Sequence, residues 1–156
     1  MLKIILEKWE KNKDKLKKIF ETEKGFNSYD CNYRDIVELT FEVIYNTDED
    51  SRLGRVNTER ITEINDGDYQ GTLLYLIPFD SYQPNENEYL MTYVDYGSCS
   101  GCDTLQSLQS YGDDVTETQV NGFMTLAKDI LQNTIKPYNY GWRNDGKFER
   151  AEVDDD

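Results

Sequence analysis

Histidine is absent from all 156 residues. That absence excludes a Ser-His-Asp triad, a Cys-His dyad, a His-Glu-x-x-His zinc protease and a His/Cys/Cys nucleobase deaminase. Acid or base catalysis would fall to carboxylates, lysine or tyrosine. No phosphate-binding glycine loop ends in Lys-Ser/Thr, and Gly97-x-x-x-Gly101 lacks both the spacing and the parallel-sheet setting of a dinucleotide fingerprint. No run of 18 apolar residues occurs, and MLKIILEKWEKNK is not a signal peptide, so a soluble, cytoplasmic protein that does not touch membranes is expected. Three cysteines are too few and odd in number for a disulfide framework, which favours a reduced compartment.

Aliphatic residues are also scarce. Hydrophobic residues make up 37%, but twelve Tyr, six Phe and two Trp supply large apolar areas with polar tips, enough for one core. Basic residues are outnumbered, giving a net charge of −14. Eight lysines against five acids in residues 1–24 make that stretch basic, which leaves −17 on the remainder. Such a body repels nucleic acid and anionic membranes and is drawn toward basic surfaces.

Residues 1–150 read as one α+β domain, followed by a flexible acidic tail at 151–156. Leu2, Ile5, Leu6, Trp9, Leu16, Ile19 and Phe20 recur at helical spacing, with Lys3, Lys8, Lys11, Lys15 and Lys18 on the solvated side. A cap signal at Asn27 to Asp30 and the spacing of Tyr33, Ile36, Val37, Phe41 and Ile44 predict a second helix, although Val37, Leu39, Phe41 and Val43 also alternate as in a strand. From Val56 the period changes to two. Ile61–Ile64, Tyr69–Pro78 and Glu88–Tyr96, with Asp66-Gly67 as a hairpin signal, predict a three-stranded antiparallel meander. Thr116-Glu-Thr-Gln opens a long helix expected to reach Ile135. Leu73, Leu74, Leu76, Ile77, Tyr93, Phe123, Met124 and Leu131 are the expected core.

The third strand runs into Gly97-Ser-Cys99-Ser-Gly-Cys102, at the spacing used by redox dithiols and by half of many zinc sites. Three readings stand: a redox pair at a helix start, a metal site (zinc) completed by Cys31, or a tight turn whose small cysteines pack inward. Asp95 and Asp103 flank the pair and oppose a thiolate.

Gly67-Asp-Tyr-Gln-Gly-Thr-Leu-Leu74, Tyr82-Gln-Pro84, the stretch from Tyr93 through Tyr96-Gly-Ser-Cys-Ser-Gly-Cys-Asp103 to Gln106, and Lys136-Pro-Tyr138 carry a resemblance. In these stretches the chain resembles a family of small proteins encoded by tailed bacteriophages. The resemblance covers mainly residues 66–138 and carries over no activity. It implies a phage or prophage origin and work inside a bacterial cell.

Two functional classes follow. The first is a non-enzymatic protein whose acidic, aromatic surface binds a basic host protein, as an inhibitor or nucleic-acid mimic acting on a nucleic-acid-handling or defence protein, without binding nucleic acid itself. Its candidate contacts are Asp48, Glu49, Asp50, Asp66, Asp68, Glu86, Glu88, Asp113 and Asp114, which fall in expected loops. The second is a small thiol-redox or metal-binding factor built on Cys99 and Cys102.

Overall fold

The computed structural model describes residues 2–28, 30–47, 54–68, 70–80, 84, 88–98, 103–109, 115–136, 140–142 and 148–150. The fold is α+β. Helix α1 (Leu2–Thr22) is followed by a 3-10 turn (Lys24–Asn27), α2 (Tyr33–Thr40) and a π-helical turn (Phe41–Tyr45). A 3-10 turn at Thr58–Arg60 leads into strands β1 (Thr62–Asn65), β2 (Gly71–Pro78) and β3 (Tyr89–Tyr96). Helices α3 (Thr104–Leu108) and α4 (Glu117–Gln132) follow, then a hairpin of β4 (Tyr140–Trp142) and β5 (Phe148–Arg150) that sequence periodicity does not signal.

The meander is antiparallel in the order β1, β2, β3, with Ile64 opposite Leu74 and Leu74 opposite Tyr93. Alternation along the strands sends Leu73, Tyr75 and Ile77 of β2, with Leu90, Thr92 and Val94 of β3, to one face, and all six are buried there. Helix α4 packs on β3 and holds Thr92, whose hydroxyl donates to the Ile130 carbonyl at 2.6 Å. Helix α1 lies against α4, where Phe20 stacks on Phe123 at 5.1 Å. Such a ring pair adds about 1 kcal/mol beyond its buried area.

Helix α2 begins at Asn32, not at the Asn27 to Asp30 signal. Asn32 and Asp35 form a reciprocal capping box, which satisfies two otherwise orphaned backbone donors. Asn27 is instead buried in the 3-10 turn and accepts from Gln119 Nε2 at 2.8 Å. The π-helical turn keeps Phe41, Ile44 and Tyr45 all inside. Its last carbonyls would be orphans, but side chains take them: Lys8 Nζ donates to Tyr45 O at 3.1 Å, Asn12 Nδ2 to Ile44 O at 3.4 Å, and Arg55 to Asn46 O at 2.8 Å. Lys8 is therefore buried rather than solvated, while Leu2 and Leu6 of the expected stripe are exposed and Ile4 replaces them inside.

Other expectations shift in the same way. Helix α4 ends at Gln132 with Asn133 as its cap. Ile135 is not helical; it pairs with Met91 through two 2.8 Å backbone bonds and is exposed. Of the expected core, Leu73, Ile77, Phe123 and Leu131 are buried and Leu74, Leu76 and Met124 half-buried, but Tyr93 is exposed, because its register places it on the sheet's outer face.

Candidate functional site

The junction after β3 is fastened by one buried carboxylate. Asp103 is the N-cap of α3 and accepts from Gln106 N–H at 2.8 Å. Its other oxygen accepts from Gly97 N–H at 2.9 Å and from the Tyr33 hydroxyl at 3.0 Å. Asp103 thus ties Gly97 to α3 and both to α2. Tyr33 in turn accepts from Leu105 N–H at 3.0 Å. Burial, opposed by that bond and reinforced by Asp103, pushes the Tyr33 phenol up, so it stays a donor at neutral pH. Cys99 and Cys102, the candidate dithiol, lie outside the described residues.

A cavity of about 410 Å³ adjoins the junction, lined by Cys31, Glu63, Asn65, Tyr96, Asp103 and Gln106 among others. Two of its polar side chains, Glu63 and Asn65, accept hydrogen bonds from tyrosines. The Tyr75 hydroxyl donates to Glu63 and the Tyr96 hydroxyl to Asn65, each at 2.6 Å. Burial, then Asp35, pushes the Cys31 thiol up to about 12, so it is protonated and weakly nucleophilic at neutral pH. Among the described residues no three His, Cys, Asp or Glu side chains converge as a metal site.

The acids expected to meet a partner divide. Asp48, Glu49, Asp50, Glu86, Asp113 and Asp114 lie outside the described residues. Asp66 and Asp68 are exposed in the turn from β1 to β2, and Glu88 is half-buried just before β3. Asp66 accepts from Thr72 N–H at 2.6 Å, which helps close that turn. Gly67 is required there, since a Cβ would stand 2.0 Å from the Gln70 carbonyl oxygen.

A second acidic feature was not anticipated. A groove of about 540 Å³ runs along α2 and the Lys24–Asn27 turn, with Phe26 and Leu39 contributing apolar surface and Glu23, Asp30, Asp35, Glu38 and Glu42 contributing carboxylates. Asp35, Glu38 and Glu42 stand three and four residues apart, the spacing of one helix face, and that signal was present in the sequence. Asp35 is committed to the capping box, Glu38 pairs with Arg34 at 3.1 Å, and Glu42 accepts from Thr58 at 2.5 Å. Glu23 and Asp30 are exposed at the other end.

Comparison with protein families, curated proteins and solved structures finds no match to this chain. Among the described residues no helix is long and apolar enough to cross a membrane.

Proposed function

We propose that this chain is an acidic interaction protein whose groove takes a lysine- or arginine-bearing segment of a basic partner. The observation that carries this reading is the groove itself, where five carboxylates surround the apolar surface of Phe26 and Leu39 without converging on a point. Spread carboxylates suit several separate cationic side chains better than one ion, and the apolar surface suits their methylene stems. In keeping with the resemblance to phage proteins, the partner is a bacterial host protein of the nucleic-acid-handling or defence class. The carboxylates stand where that partner would otherwise meet phosphates, so the protein acts as an inhibitor rather than an enzyme.

The test begins with affinity capture from bacterial lysate and proceeds to binding of the purified partner at low and high salt, with and without competing DNA. Binding should weaken steeply with salt, since exposed charges are screened within about 8 Å at physiological ionic strength. DNA should compete. The triple variant Glu23→Gln, Asp30→Asn, Glu38→Gln should bind roughly 10-fold more weakly, from the loss of three carboxylate charges at about 0.5 kcal/mol each. Binding indifferent to salt and to DNA would refute the reading.

A further inference from the structure

An antiparallel sheet with helices on one face ordinarily shows polar residues on the other. This one does not. Alternation away from the core places Ile64, Leu74 and Tyr93 in one cross-strand row, and Leu76, Met91 and the bridging Ile135 in the next. Ile64 is 46% exposed, Tyr93 43% and Ile135 50%, while Leu74, Leu76 and Met91 beside them are half-buried. Among the described residues, three of the five exposed large hydrophobic side chains lie on this one face. A contiguous apolar area of this kind marks a contact surface more often than scattered single residues do.

Charge selects the occupant. Asp95 continues the outer alternation of β3 beyond Tyr93 and accepts from Thr72 at 2.9 Å. Asp66 and Asp68 stand exposed beyond Ile64, and Asp80 is exposed two residues past Pro78 at the other end of β2. Among the described outer-face residues of β1, β2 and β3 none is basic. A second copy would bring the same carboxylates face to face, on a chain already at −14. We infer that the outer face of the sheet is a docking surface for a partner protein that presents an apolar strand or helix face flanked by lysine or arginine. This surface is separate from the groove along α2 and does not need the groove to be occupied.

The test is hydroxyl-radical footprinting of the full chain with two synthetic probes. One is a nine-residue peptide of alternating isoleucine and threonine with two lysines at each end, and the other carries glutamates in place of those lysines. The lysine peptide should protect Ile64, Tyr93 and Ile135, and the glutamate peptide should not. Ile64→Ser with Tyr93→Ser should weaken the lysine peptide about 10-fold or more, as loss of central anchors does. Asp95→Asn, which keeps an acceptor for Thr72, tests the charge separately and should weaken it by a smaller factor. The groove variant Glu23→Gln, Asp30→Asn, Glu38→Gln should leave protection unchanged, so failure here and failure of the groove reading are distinguishable. Equal protection by both peptides, protection by neither, or protection that grows with protein concentration alone would overturn the inference, the last by showing a second copy on the face.

Discussion

Replacing Asp103 by alanine should be among the most damaging single changes to this fold. The carboxylate is 4% exposed and receives three hydrogen bonds, from Gly97 N–H, Gln106 N–H and the Tyr33 hydroxyl. Loss of the N-cap contribution costs about 1 kcal/mol. Gly97 N–H and the Tyr33 hydroxyl then stand buried without this acceptor, at about 1–3 kcal/mol each. Against these stands relief from burying a charge, so a net loss of about 2–4 kcal/mol is expected, a large part of a total stability of about 5–15 kcal/mol. Asp103→Asn retains one acceptor oxygen and a good capping side chain, and should lose about 1–2 kcal/mol. Tyr33→Phe removes the donor to Asp103 and leaves Leu105 N–H without its acceptor. Urea unfolding of both singles and the double should give a coupling of about 1 kcal/mol or more, with an unchanged denaturant slope. If Asp103→Ala costs less than about 1 kcal/mol, or if its effect simply adds to that of Tyr33→Phe, the junction is not held in this way.

Gly122 sits inside α4, where alanine would ordinarily gain about 1 kcal/mol. Here its Cβ would stand 2.2 Å from Leu108 Cδ2, so the half-buried Leu108 tip must move and Gly122→Ala should fall short of that gain by thermal unfolding, while adding Leu108→Ala should restore the helix gain but open a cavity. Stability should also fall as pH rises from about 9 toward 12. The unfolded Cys31 thiol ionises near 9.0 while the folded one keeps its proton to about 12, so the unfolded state binds fewer protons and is favoured. Tyr33 and Tyr75, both raised by burial, add a loss of the same sign above their ordinary value of 10.0. Cys31→Ala should remove the first part of the alkaline decline and leave the second, as read by urea unfolding at a series of pH values.

Period and capping chemistry carried most of the architecture. The stripe of α4 and its Thr116 cap, the Asp66-Gly67 turn and the three alternating strands are each local signals with a local cause. What was not legible depends on partners distant in sequence. Lys8 looks like a solvated lysine until Tyr45, thirty-seven residues on, offers it a carbonyl. Tyr93 looks like core because aromatic residues usually are, but strand alternation allows either face and only the register with Leu74 decides. Asp103 looked like a flanking charge opposing a thiolate; its distance from Tyr33 in the chain hid its structural role. The groove acids on α2 were readable as a helical stripe, whereas their meeting with Glu23 and Asp30 required the path of the preceding turn.

The π-helical turn at Phe41–Tyr45 has a consequence for ancestry. Asn46 N–H closes on Phe41 O, five residues back, so this turn spends one residue more than an α-turn does. Asn46 then exchanges two bonds with the backbone of Val56, at 2.9 and 3.0 Å. Deleting one residue here would let the helix run on as regular α and swing every following side chain by about 100° around its axis, carrying Asn46 away from Val56. A relative one residue shorter between Phe41 and Asn46 is therefore expected to have lost the asparagine as well. The extra residue and the amide should be gained and lost as a pair.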